Sequence, residues 1–271
     1  MIRLRCKFAL LCILVSAAGC EPPCPPIPVD TRGVQPAATY DDLAVVLDAV
    51  VEKNGLVDPD VLEGAAVALD AQLQRLAVTG PTATPELFPD EEHVLAYWYN
   101  ARAAWSMKLL LVEHCPRQVR RKRFLGTPFP LDGREMSLER IDEVLAGDRD
   151  FRTAAAAPGA TRQYARLPTE PFEADGIRRR IADRFVEFVD DELRFVIDVR
   201  RKRILVPTAL WQFRDRLIRH HHETYGVEAA TLATALLPYV TGSAHRRLQD
   251  AVGYRIVEGR SRELATSAED D

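Results

Sequence analysis

Asp90-Glu-Glu-His-Val-Leu-Ala-Tyr-Trp-Tyr-Asn-Ala-Arg-Ala-Ala-Trp-Ser-Met-Lys-Leu-Leu-Leu-Val-Glu113 is the stretch on which the fold turns. Its apolar residues, among them Leu95, Tyr97, Trp98, Ala101, Ala104, Trp105 and Leu109, occupy every side of a helical projection rather than one stripe. A helix that is apolar all round is a buried one. The sequence therefore predicts a central helix over about 90–113, wrapped by others and ended by Pro116. Asp90, Glu91 and Glu92 place negative charge in its first turn, where the helix dipole favours it. Asn100, Arg102 and Lys108 interrupt the apolar surface. An unpaired charge is costly to bury, so Arg102 and Lys108 are expected to pair with acids, snorkel to water or line a cleft. Asn100 is expected either to be satisfied by backbone or by Arg102, or to orient a ligand.

Working outward, amphipathic segments surround this helix. A helix over about 40–53 opens with a capping-box-like pair, Thr39 and Asp42, and a second over about 59–78 starts at Asp58-Pro59. Downstream, Pro128–Leu131 and Arg134–Met136 flank Asp132-Gly133, a strong hairpin turn. Ser137 caps a short helix over about 138–146. Residues 147–171 read as irregular. A helix over about 173–191 precedes a second hairpin, Phe195–Val199 with Arg203–Val206, and helices follow at about 208–223, 227–240 and 243–251. The fold class is α+β, mainly α, with two small β-hairpins. No βαβ alternation, repeat or glycine phosphate loop is present in the sequence, and no cofactor is expected.

The first 38 residues read differently. Arg3, Arg5 and Lys7 precede an apolar run from Phe8 to Val15, then Ser16-Ala-Ala-Gly19 and Cys20. That order resembles a lipoprotein signal peptide, and the run is too short to span a bilayer. The expected division is a signal peptide at 1–19, a proline-rich tether at 20–38 and one globular domain at 39–271. Cys20 would carry the lipid, which places the domain in the cell envelope, at the periplasmic face of an outer membrane where the cell has one. Cys24 and Cys115 either pair as a disulfide or remain free thiols. Loss of residues 1–19 removes three basic residues and no acidic ones, taking the net charge from −4 to −7. That balance argues against nucleic acid or anionic lipid as a general partner. The basic runs at 117–123, 178–180 and 200–203 are read as solvated turns and helix faces.

Four stretches in order then carry a family resemblance: Tyr40-Asp-Asp-Leu through Val57-Asp58, Leu95-Ala-Tyr-Trp-Tyr-Asn-Ala101, Ser137-Leu-Glu-Arg-Ile-Asp142, and Leu205-Val-Pro-Thr-Ala-Leu-Trp-Gln-Phe-Arg-Asp-Arg-Leu217. Together they resemble the bacterial domain-of-unknown-function family 547 over about residues 39–257. The resemblance also implies where this chain departs. Arg102 and Ala103 stand where the family has Tyr and a second Asn, and Glu143 stands at the family's His. Asp150 and Ala155 replace a further His and a Cys. Nucleophilic catalysis needs a thiolate and a nearby base, so the resemblance implies a degenerate member.

The remaining candidates are weak. His220-His-His-Glu223 cannot converge on one ion, because neighbouring helical residues point about 100° apart. No metal site and no catalytic residue is assigned. Asn100, Arg102, Glu143 and Asp150 form the candidate pocket. The leading reading is a non-catalytic binding or scaffold module of the envelope, tethered through lipid on Cys20, with an envelope protein or a small ligand as partner. The alternative is a hydrolase or transferase with a pocket along the central helix.

Overall fold

The structure is a computed structural model that describes residues 25–112, 121–192, 194–227 and 230–259. The helix α4 (Glu91–Leu111) lies at its centre, with thirteen consecutive residues, Leu95 to Met107, all buried. This is the all-round burial that its composition demands. Asp90 caps it, accepting a hydrogen bond from the His93 backbone N–H at 2.9 Å. Around it pack α2 (Pro59–Gly64) and α3 (Ala66–Val78), α6 (Leu138–Ala146), and α8 (Ile177–Asp190), with α1 (Asp41–Val50) laid on α3. The short α7 (Phe151–Ala155) joins α6 and α8 to α9 (Thr208–Tyr225), against which α10 (Leu232–Leu236) packs. The remaining helices are α5 (Arg121–Gly126) and α11 (Gly242–Asp250).

The expected class, α+β and mainly α, is the class observed. Strands β1 (Phe129–Leu131) and β2 (Arg134–Met136) form the first hairpin, with Asp132 and Gly133 both at positive φ, 55° and 70°. Positive φ at both central residues is what this turn requires. The second hairpin is not free-standing. Strands β3 (Val196–Asp198) and β4 (Arg203–Val206) pair antiparallel as expected, but β5 (Arg255–Glu258) adds to β4 in parallel. A four-residue strand reached through three intervening helices has no local turn signal, so its pairing is set by tertiary packing.

Several local expectations are corrected by tertiary contacts. The α1 start has no side-chain cap of its own; the buried Gln72 of α3 accepts the Leu43 N–H at 3.3 Å and donates to the Thr39 carbonyl at 3.2 Å. The helix expected over 59–78 breaks at Ala65 into α2 and α3. The segment expected as one helix over 227–240 is α10 followed by a 3₁₀ turn at Leu237–Tyr239. The proline-rich segment is also less free than a spacer. Ile27 is 3% exposed and its N–H donates to the Pro128 carbonyl, and Ala37 N–H donates to the Thr79 hydroxyl. An apolar residue in a proline-rich stretch can dock on a core, and Ile27 does so.

The irregular stretch after α7 is held by α4. Asn100 donates to the Phe172 carbonyl and accepts the Phe172 N–H, both at 2.8 Å, with the residue fully buried. Tyr99 donates its hydroxyl to the Thr153 carbonyl. Asn100→Ala orphans two buried backbone groups at about 1–3 kcal/mol each. Urea unfolding followed by tryptophan fluorescence should show a loss of about 2–5 kcal/mol; a loss under about 1 kcal/mol would show that the clasp is dispensable.

Candidate functional site

Arg102, one of the four residues named by the sequence, sits at the centre of a buried polar cluster. Its side chain is 0% exposed, on the inner face of α4. Nε donates to Asp142 Oδ1 at 2.6 Å and Nη2 to Asp142 Oδ2 at 3.2 Å, a two-pronged contact with a carboxylate on α6. Nη1 donates to the Pro158 carbonyl. The guanidinium lies 4.1 Å from the centre of the Tyr164 ring, and the Tyr164 hydroxyl reaches Asp142 at 3.2 Å. Burial disfavours the guanidinium charge, but the Asp142 carboxylate outweighs it and the pKa is raised above its ordinary value. Gly159 completes the seat: a Cβ there would stand 2.7 Å from Arg102 Nη1 and 2.9 Å from Tyr164 Cβ. Ala155, where the resemblance implies a cysteine, is fully buried in the same interior.

The four candidate pocket residues do not meet on a common centre. Asn100 is spent on the Phe172 backbone, and Arg102 on Asp142 and Pro158. Glu143 is on the outer face of α6, ion-paired to Arg140 at 2.6 Å. Asp150 caps α7 and grips Arg152 at 2.7 Å. Burial alone would raise the Asp150 pKa, but the Arg152 hydrogen bonds hold it below the usual carboxylate range. Lys108 pairs with Asp70 at 2.6 Å, as an acid-paired lysine should. The histidines of α9 diverge: His220 leans on Phe151, His221 on Tyr225, and His222 meets the Val227 carbonyl at 3.2 Å. Among the described residues, no group of three His, Cys, Asp or Glu is placed to hold a metal. Cys20, Cys24 and Cys115 lie outside the described residues.

Two open clefts lie along α6, and one of them borders the Arg102 seat. One, about 510 Å³, sits above Asp142 and Tyr164 and is rimmed by Glu139 and Glu143. The other, about 790 Å³, lies between the start of α4 and the loop joining α6 to α7, with Phe88, Leu95, Trp98 and Leu145 on its floor. Of the residues lining this second cleft, the sequence named Asp150 as a pocket candidate and missed Arg178 and Thr153. Arg178 was placed on a solvated face, yet it bridges Asp148 at 2.8 Å and Glu91 at 3.4 Å. Thr153 and Tyr164 sit in a stretch without periodicity, so no sequence signal marked them. Asp142 is not among the pocket residues the sequence named; Arg102 is expected to pair with an acid, snorkel or line a cleft, and it pairs with Asp142.

No family model, curated protein or solved structure matches the chain.

Breaking a buried ion pair from one side costs about 3–5 kcal/mol, because the other charge is left alone. Arg102→Met should therefore destabilise by about that amount, and Arg102→Met with Asp142→Leu by less than the two single changes summed. Chemical denaturation of the four proteins measures the coupling; additive losses would remove the pair from the account. Gly159→Ala should cost about 1–3 kcal/mol by overpacking the seat.

Proposed function

We propose that this chain is a lipid-anchored protein of the cell envelope whose domain binds a partner and does not catalyse, as a degenerate member of family 547. The observation that carries the reading is the Arg102 seat. At the position where the resemblance implies a tyrosine, a fully buried guanidinium is locked to Asp142 and Pro158 and stacked on Tyr164. Asp150, at the implied histidine, works as a helix cap, and Ala155, at the implied cysteine, is core. A hydrolase or transferase needs a nucleophile in reach of a base, and Asn100, Glu143 and Asp150 are each committed elsewhere.

The tether supports an envelope role of a particular kind. Ile27 is docked in the domain. An acylated Cys20 would be separated from it by a chain that spans at most about 25 Å. The domain would thus be held close to the bilayer and would meet partners near its surface.

Two measurements test the proposal. Replacing Cys20 with Ser should move the protein from the membrane fraction to the soluble fraction, and retention of Cys20→Ser in the membrane fraction would sink the anchor. Thiol labelling of the full chain should be slow and unsaturable, and unchanged in kind by Cys24→Ala or Cys115→Ala. Saturable labelling lost in Cys115→Ala alone would restore an enzyme.

A further inference from the structure

The cleft between the start of α4 and the α6–α7 loop has the chemistry of a ligand site. Its volume, about 790 Å³, is in the range of small-molecule pockets. Its floor is apolar and partly aromatic, with Phe88, Leu95, Trp98 and Leu145. Its rim carries four carboxylates: Asp150 is held by Arg152 and Asp90 faces His93, which leaves Glu91 and Asp148 beside the guanidinium groups of Arg149 and Arg178. The carboxylates come from two opposed walls, and they already hold a cation. Arg178 Nη1 is 2.8 Å from Asp148, while Nη2 is 3.4 Å from Glu91 across the opening. A second, independent observation marks the inner end. Thr153 lines the cleft, is 1% exposed, and its Oγ1 has no hydrogen-bond partner within the protein. A threonine on a helix ordinarily turns its hydroxyl to a backbone carbonyl one turn back. A buried hydroxyl left unpaired is costly to the fold, and a turn of the Thr153 side chain toward the cleft it lines would let a ligand group satisfy it.

We propose that this cleft binds a compact organic cation, an amine or guanidinium on an apolar or aromatic body. The apolar body lies over Trp98 and Phe88, where a cation is also favoured by the ring faces. The charge sits among the carboxylates, in competition with Arg178, and a polar hydrogen or lone pair of the ligand pairs with Thr153 Oγ1. A free amine and the lysine side chain of a partner protein share this chemistry. The assignment rests on the reading of the domain as a binding module.

The experiment is calorimetric titration of the full-length chain in detergent with 3-phenylpropylamine, with the neutral 3-phenylpropanol and with the anionic 3-phenylpropionate. The amine should bind saturably and at least tenfold tighter than the alcohol, and the carboxylate weakest. Thr153→Val then separates a ligand contact from a structural one. It removes a buried, unpaired hydroxyl at nearly constant shape, so the Tm of the free protein should rise, while amine affinity should fall about five- to tenfold through loss of one hydrogen bond. Equal binding of amine and alcohol, preference for the carboxylate, no saturable binding, or unchanged affinity in Thr153→Val each overturns the assignment. Acetyl-Phe-Lys-amide distinguishes the sources: tighter binding than the free amine points to a protein partner, weaker to a small molecule. Saturable binding followed by chemical conversion of the amine would support the cleft and sink the non-catalytic reading. No binding sinks the cleft alone.

Discussion

The stretch between α7 and α8 is buried without being helix or sheet, and the rest of the structure answers to that constraint. Tyr164, Ala165, Leu167 and Phe172 are all under 5% exposed, yet the run satisfies only part of its backbone from within, as where the Gly159 N–H meets the Ala165 carbonyl and the Tyr164 N–H the Thr161 carbonyl. Buried carbonyls without partners are rare because each costs about as much as a lost hydrogen bond. Other carbonyls of the stretch take side-chain donors. Asn100 serves Phe172, Arg102 serves Pro158, Arg180 serves Glu170 and Pro171, Arg184 serves Arg166, and Arg194 serves Tyr164. In the neighbouring α6–α7 loop, Arg216 of α9 does the same for the carbonyls of Ala146, Asp148 and Arg149. The guanidinium is suited to this task, having five donors in a rigid fork and weaker hydration than an ammonium. Of the 36 basic residues, 31 are arginine, and many of those in the interior are spent on carbonyls rather than on carboxylates.

That use of arginine has an electrostatic consequence. Where a buried guanidinium also meets a carboxylate at close range, as Arg102 meets Asp142, the charge is held and the pKa rises. Where it meets mainly carbonyls, burial dominates. Arg184 is pulled down to about 10 by desolvation, only partly offset by Glu187, with Arg180 pushing further in the same direction. It still carries its charge at neutral pH. Arg194 lies between the two cases: burial lowers its pKa, and Asp191, which it shares with Arg166, restores part of the loss. The interior thus tolerates several cations because each donates to oxygen, even though Arg184 Nε and Arg194 Nη2 find no partner within the protein.

The legible part of this design was the part with periodicity. The all-apolar α4, the Asp58 cap of α2, the Ser137 cap of α6 and the Asp132-Gly133 turn could be read from local spacing, and each is present. What escaped depends on residues far apart in sequence. Gln72 caps α1 from another helix, Gln163 accepts the Thr208 N–H at the start of α9, and β5 finds β4 across three helices. The run Arg178-Arg-Arg180 shows the same limit at single-residue scale. Arg179 is exposed, as a solvated face predicts, while Arg178 and Arg180 on either side of it reach Asp148 and Pro171. Helical phase alone does not say which of three neighbouring arginines will find a carbonyl.

The same physics separates the two clefts. Above Asp142 the carboxylate is already spent on Arg102 and Tyr164, so a ligand entering there meets a compensated charge and a side chain that would lose its partner by moving. In the cleft beside α4 the cation at the mouth, Arg178, is 38% exposed and held from three sides by acids that lie 2.8 to 3.7 Å away. A half-exposed guanidinium returned to water keeps its solvation, so displacing it costs little compared with displacing Arg102. The buried pair therefore acts as a fixed strut, and the exposed one as an exchangeable counter-ion. If the domain binds anything through charge, the opening kept by an exchangeable cation is where entry is least opposed.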